Sequence, residues 1–178
     1  KDGTVRRVFG TLNPAYCSVT SFKRPTHLEL RHDYLWRVHQ LVPPRGTIGI
    51  FNRSHYEDVL VVRVHSLVPE STWRNRYQQI NEFEQMLTEE GVVIRKFFLH
   101  ISRDEQRRRL EERLDDPRKN WKFEPGDLAE RARWDDYTAA YADMLERTST
   151  RAARWYIVPA DKNKPRDLAV AEIVVQTL

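Results

Sequence analysis

Four short runs that read as strands, residues 17–22, 47–51, 92–101 and 154–159, are separated by stretches patterned for helix, and this alternation constrains the fold more than any other feature. Strands joined by helical crossovers lie parallel, and a parallel sheet needs helices on both faces. The helical stretches carry their own start and stop signals. Residues 4–12 read as a helix closed by Asn13-Pro14. Thr26 and Glu29 form a capping box opening a helix with Leu28, Leu35, Val38 and Val42 at helical spacing, stopped by Pro43-Pro44. A turn after residue 51 leads into a helical stretch ending near His65. Residues 71–90 place Trp73, Tyr77, Ile80, Phe83 and Leu87 on one face, with Gly91 as the cap. Ser102 and Glu105 open a mostly polar helix that Asp115-Asp116-Pro117 breaks, and Asp127 with Glu130 opens a long one bearing Trp134, Tyr137, Tyr141 and Leu145. A last helix begins near Pro165. With no internal repeat and no linker composition, the 178 residues read as one domain.

Composition narrows the partners. No apolar stretch approaches the roughly 18 residues of a membrane span. The single cysteine, Cys17, rules out an internal disulfide framework and points to a reducing cytoplasm. Thirty Lys and Arg against 26 Asp and Glu give a formal charge of +4, which suits a polyanionic partner as well as an ordinary solvated surface of mixed charge.

Lys1-Asp2-Gly3-Thr4, at the start of the first helix, has the character of the tail of a phosphate-binding loop. In such a loop, backbone N–H groups and a lysine hold phosphate while the following hydroxyl binds magnesium. Asp2 stands where the hydroxyl residue belongs, and a carboxylate also binds magnesium. The competing reading is a plain polar segment. Asn52 closes a buried strand at its carboxyl end, where parallel-sheet proteins place ligands, and Arg53 is suited to a planar phosphate clamp or to a surface pair with Glu57. On the helix from Thr26, Glu29, His32 or Asp33, and Trp36 share one face. They either line a cleft or are engaged locally, Glu29 in the capping box and Asp33 by Arg37. Arg109 and Arg113 sit one turn apart among Arg103, Arg107 and Arg108, a crowding that a phosphate partner or the neighbouring glutamates would relieve. Lys119-Asn120-Trp121-Lys122-Phe123, followed by Arg131 and Arg133, reads as a lid closing over phosphates or as an RNA-binding patch.

The stretches Phe51-Asn52-Arg53-Ser54-His55-Tyr56-Glu57, Lys96-Phe97-Phe98-Leu99-His100-Ile101-Ser102 and Asn120-Trp121-Lys122-Phe123, with Glu29 and His32-Asp33-Tyr34-Leu35-Trp36-Arg37, together resemble the family-2 polyphosphate kinases. The resemblance covers essentially the whole chain. It implies an α/β, thymidylate-kinase-like P-loop kinase fold of three α/β/α layers. The parallel sheet would have five strands, with the first strand and the loop glycines upstream of Lys1, and a helical lid would span about residues 115–135.

By resemblance, Lys1 holds phosphate, Asp2 holds magnesium (or manganese), Asn52 stands at the second Walker position, and Arg53 contacts the transferring phosphates. The implied substrate-binding set also takes in Gly3, Thr4, Glu29, Asp33, Arg37 and Glu57. Arg109, Arg113, Lys122 and Arg131 belong to the polyphosphate channel and lid, and Asp161 and Lys162 to a loop on the nucleotide side. Many members carry aspartate where Asn52 stands, and the Asn-Arg-Ser-His-Tyr-Glu form resembles the subgroup accepting both AMP and ADP. The implied activity is reversible, magnesium-dependent transfer of a terminal phosphoryl group from inorganic polyphosphate to AMP or ADP. A cytoplasmic homo-oligomer is expected, with neither nucleic acid nor membrane as partner. Two rivals stand beside it: an ATP-dependent nucleoside monophosphate kinase on the same fold, and a non-catalytic RNA-binding module.

Overall fold

The computed structural model describes residues 1–118, 120 and 126–178. Helix α1 (Asp2–Phe9) precedes strand β1 (Cys17–Ser21), a 3-10 turn (Glu29–Arg31) and the short helix α2 (Trp36–His39). Strand β2 (Ile48–Asn52) leads into α3 (Glu57–Val64) and the long α4 (Glu70–Glu89). Strand β3 (Lys96–His100) is followed by α5 (Arg103–Asp115), α6 (Gly126–Ala132) and α7 (Trp134–Thr148), and the described chain closes with β4 (Trp155–Pro159) and α8 (Asn163–Thr177).

A strand forms within each of the four expected runs, in 92–101 only over Lys96–His100, and both pairings are parallel. Cys17 lies opposite Ile48 and Ser21 opposite Asn52 in β1–β2; Lys96 lies opposite Trp155 and His100 opposite Pro159 in β3–β4. The described residues hold these as two separate two-stranded sheets and not as one continuous sheet. Each pair therefore brings its two C-terminal ends side by side, with Asn52 at one and the His100 and Pro159 ends at the other.

The main core lies among α3, α4 and α7. Val59, Ile80 and Ala140 are fully inaccessible to solvent and pack with Tyr56, Leu60, Trp73, Tyr77 and Met144. Truncating Ile80 to alanine would cost about 2–5 kcal/mol at such a site. A second cluster joins Phe22, Val38, Phe83 and Leu87, so the stripe read on α4 serves both cores. Gly91, at φ +90°, ends α4 as its cap: its N–H donates to the Thr88 carbonyl, a left-handed conformation that a side chain would strain. At the other end of the chain, α1 packs on α8, tied by an ion pair from Arg7 to Asp167.

Two helices differ from the sequence expectation. The helix expected from Thr26 to Val42 does not run through. The Thr26–Glu29 capping box forms, with the Thr26 N–H donating to Glu29 Oε2 at 2.6 Å, but only one 3-10 turn follows. His32 is extended, and Asp33 Oδ1 then accepts from the N–H groups of Leu35 and Trp36 at 3.0 and 3.1 Å, starting α2 afresh. A side-chain acceptor that satisfies new helix-start donors interrupts the old helix, so Glu29, Asp33 and Trp36 are not on one helical face. The helix expected from Asp127 onward is likewise two, α6 and α7, with Arg133 between them donating to the Val64 carbonyl at 3.0 Å. Among the described residues no helix is long and apolar enough to cross a membrane.

Candidate active site

The C-terminal end of β2 and the N-terminal end of α1 meet. Asn52, the last residue of β2, donates from Nδ2 to Oδ1 of Asp2, the first residue of α1. Fifty residues of chain separate them, so only the fold brings the two motifs together. That hydrogen bond, ahead of the charges of Lys1 and Arg53, holds the Asp2 carboxyl below its usual range and keeps it ionised at neutral pH. The amide oxygen of Asn52 is buried without a hydrogen-bond partner among the described residues. A carboxylate and an orphaned carbonyl-type oxygen thus sit side by side.

Arg53 follows immediately and occupies the left-handed region at φ +65°, unusual for a residue with a side chain. Its guanidinium reaches Glu57, the first residue of α3, at 3.9 Å, a loose pair with the arginine side chain 53% exposed. Burial pushes the Glu57 carboxyl up, against the pull of Arg53 and Lys1. Partial burial, followed by the Arg53 charge, lowers the Lys1 ammonium. Lys1, Asp2, Asn52, Arg53 and Glu57 are therefore one electrostatically coupled group at a strand end and a helix start. Two cations there, with the N–H groups of the first turn of α1, form an environment for phosphate.

A second cluster lies at the ends of β3 and β4. The Asp161 carboxylate accepts from the Ser102 N–H at 2.8 Å, and Arg109 donates to the carbonyls of Ala160 and Asp161 at 2.8 and 3.1 Å. Glu105 steadies Arg109 at 2.6 Å. Lys162 stands at the N-cap position of α8, makes no side-chain capping hydrogen bond and is exposed. The backbone nitrogen of Lys1 lies within electrostatic range of Arg109 and of the buried Arg166, so the two clusters border the same region.

A polyphosphate kinase 2 family model matches residues 1–178, over the whole chain. The chain belongs to the polyphosphate kinase 2 family. It is similar to the AMP/ADP-polyphosphate phosphotransferase of Meiothermus ruber, 58% identical over 178 residues, covering 100% of this chain and 67% of the relative. The ADP-polyphosphate phosphotransferase of Rhodopseudomonas palustris is 47% identical over 190 residues, with 66% of its length covered. Among solved structures, polyphosphate kinase 2 from Arthrobacter aurescens TC1 superposes with a TM-score of 0.97 at 48% identity, over 99% of this chain and 62% of that one. The chain thus spans about two thirds of the length of the curated relatives it matches.

In this polyphosphate kinase 2 chain the remaining sequence-predicted residues have diverse surroundings. Gly3 leaves room for the Arg7 guanidinium, whose nitrogens a Cβ would meet at 3.0–3.1 Å, and Thr4 is buried. Glu29 is held in its capping box and stands 3.8 Å from Arg37, while Asp33 caps α2 and does not pair with Arg37. Arg37 is buried, lies over the Phe22 ring and donates to the Lys23 carbonyl at 2.9 Å, yet its charge is felt at Glu57. The crowded arginines of α5 are largely answered from within the helix: Arg107 pairs with Glu111, and Arg108 with Glu105 and Glu112. Arg113 reaches Asp127 at 2.9 Å, and Arg131 donates to the Arg103 carbonyl and Gln106 at 2.8 Å, so both fasten α6 to α5. Lys122 lies outside the described residues.

Two features escaped the sequence reading. Tyr137 and Tyr141 of α7 lie within electrostatic range of Glu57, and Tyr141 also of Arg53. They look like core residues in a helical stripe, and nothing in the pattern marks them as site neighbours. The other is a buried charge network around Glu84. Its signal is present in the sequence: Glu84 falls on the apolar stripe of α4, four residues after Ile80 and three before Leu87.

Proposed function

We propose that this chain carries the catalytic machinery for reversible transfer of a terminal phosphoryl group from inorganic polyphosphate to AMP or ADP. The observation that carries the reading is the junction of Asn52 with Asp2, flanked by Lys1 and Arg53, in a chain of this family. Its relatives named for AMP and ADP supply the acceptors, and polyphosphate in those names supplies the donor.

The oxygens at the junction fit a divalent cation. Magnesium keeps several waters and takes one or two carboxylates plus substrate phosphates, so the Asp2 carboxylate and the orphaned Asn52 oxygen are an adequate protein share. Among the described residues no cluster of three or more His, Cys, Asp and Glu is arranged as a self-sufficient metal cage. Magnesium bound there, or manganese on the same oxygen donors, would neutralise charge on bridging phosphate oxygens. The protein's own part is positioning and charge. Lys1 and the first-turn N–H groups of α1 hold the phosphate near the helix start, Arg53 faces the transferring group with a planar pair of donors, and Asn52 keeps Asp2 oriented and ionised. Arg109 and the Asp161–Lys162 loop border the same space from β3 and β4. No phosphorylated side chain is required.

The finer architecture belongs to the same proposal. The two parallel pairs are halves of a five-stranded sheet, closed by a strand preceding Lys1 that lies between β2 and β3. Support comes from the shared parallel sense, from the hydrogen bond of Asn52 to Asp2 and from the nearness of the Lys1 backbone nitrogen to Arg109. Residues 115–135 serve as the lid, and the protein works as a cytoplasmic homo-oligomer.

The test is donor exchange. Purified protein given ADP or AMP with polyphosphate and magnesium is expected to form ATP or ADP, and Asp2→Asn to abolish most of that activity. Phosphorylation of AMP from ATP but not from polyphosphate would replace the proposal with the ATP-dependent kinase. Tight RNA binding that Asp2→Asn leaves intact, without any phosphotransfer, would replace it with a binding module.

A further inference from the structure

Beneath the proposed site lies a buried ion pair that none of the steps above uses. Glu84 of α4 is completely inaccessible, and Lys96, the first residue of β3, is 7% exposed. Lys96 Nζ donates to Glu84 Oε2 at 2.6 Å, to Tyr56 Oη at 2.7 Å and to the Thr148 carbonyl at 2.7 Å. The other carboxylate oxygen accepts from Tyr56 Oη at 2.7 Å and lies 3.2 Å from His55 Nε2. Against the cost of burial, the His55 hydrogen bond and the Lys96 charge hold the Glu84 carboxyl below its usual range.

Stability alone is a poor reason for such a pair. Apolar residues of similar volume often serve a core as well or better, because desolvating two charges offsets most of their attraction. The placement of its partners supplies a reason. His55 and Tyr56 are the second and third residues after Arg53, and Glu57, the residue Arg53 faces, comes next. Arg53 holds a left-handed backbone at φ +65°, a conformation that persists when the surrounding structure over-determines it. Its side chain is 53% exposed with one loose partner, so packing does not fix it, and the backbone sets the direction in which it leaves the turn.

We propose that Glu84 and Lys96 are positioning residues for Arg53: by clamping His55 and Tyr56 from below they hold the Arg53 turn in the conformation that aims the guanidinium at the transferring phosphate. This inference rests on the phosphotransfer reading for its kinetic consequence, while its structural consequence stands apart from it.

The experiment is a mutant cycle with a separate structural readout. In Glu84→Gln/Lys96→Met, both charges go together, so neither is left buried alone. With polyphosphate as donor, kcat is expected to fall about 10- to 100-fold, as small misplacements of a reacting group do. KM for the nucleotide should change within about twofold, and in an Arg53→Ala background the same pair of changes should alter kcat by no more than about twofold. Equal fold losses in both backgrounds would mean a merely structural role and would overturn the proposal. Tyr56→Phe, which unhooks one arm and leaves the ion pair intact, repeats the cycle should the double variant fail to fold. Amide hydrogen exchange supplies the readout that needs no activity: protection across residues 53–57 is expected to drop in either variant while α1 and α8 are unchanged. Unaltered protection there sinks the inference, whereas absence of polyphosphate-dependent activity in the unmodified protein sinks only the functional reading.

Discussion

Replacing Asn52 by aspartate tests the geometry of the proposed metal site from both directions. In the structure the Asn52 amide donates to the Asp2 carboxylate. Asn52→Asp removes that donor and sets two carboxylates at hydrogen-bonding separation. A hydrogen bond to a charged group contributes about 1.5–3 kcal/mol, and Asp2 is exposed enough to solvent that the net cost without a divalent cation should be about 1–2 kcal/mol. For a chain of this size that corresponds to a fall in Tm of about 2–8 °C. Two carboxylates sharing one place cannot both ionise freely, so one pKa rises. The penalty is therefore present at neutral pH and is relieved as pH falls through that raised value. Magnesium reverses the balance, because the second carboxylate becomes a charged ligand where the native protein offers a neutral oxygen. Thermal melts in chelator and in excess magnesium make the comparison, and the metal should raise Tm more for Asn52→Asp than for the native protein. Equal melting temperatures in chelator, or equal stabilisation of both proteins by magnesium, would refute the reasoning.

Glu57→Gln should stabilise the protein at neutral pH, because burial raises the native carboxyl's pKa and makes its ionised form costly. The sign follows from linkage: the native protein loses stability as pH rises from the ordinary carboxylate range through the raised value, the variant does not, and the two converge in acid. Melts across pH 4–8 would contradict this if the variant were the less stable at neutral pH. Glu105 behaves in the opposite sense, since hydrogen bonds from Arg108 and then Arg109 lower its carboxyl to about 2. Its stabilising contribution is complete above the ordinary carboxylate range and disappears as pH falls towards about 2, so Glu105→Gln should be less stable than the native protein at neutral pH and match it in strong acid. A difference between the two proteins that does not change with pH would remove the ion-pair explanation.

Local signals were legible wherever neighbours in sequence supply the interaction. The capping serine of α5 accepts from the Glu105 N–H at 3.1 Å, as its spacing required, and Gly91 stops α4 with the positive φ that its position demanded. The helix from Thr26 failed for a reason of the same range. Asp33 is a stronger local acceptor than the leucine spacing is a helix signal, and it restarts the chain one turn later. The candidate site was legible as residue types, but the pairing read between Asp33 and Arg37 does not form, because Asp33 is taken up by the N–H groups that start α2 and Arg37 donates to the Lys23 carbonyl.

The sequence by itself determined the alternation of strands and helices, the parallel sense of the strands and the family. Each follows from apolar period, from capping chemistry or from motifs that survive in order along the chain. Only the tertiary structure decided that Asp2 and Asn52 touch, that Arg113 and Arg131 hold α6 against α5, and that a glutamate on the apolar stripe of α4 meets the lysine that opens β3. Those contacts join residues 12 to 50 positions apart. Their energies depend on burial and on the partners that desolvated charges find, and these exist only once the helices have packed.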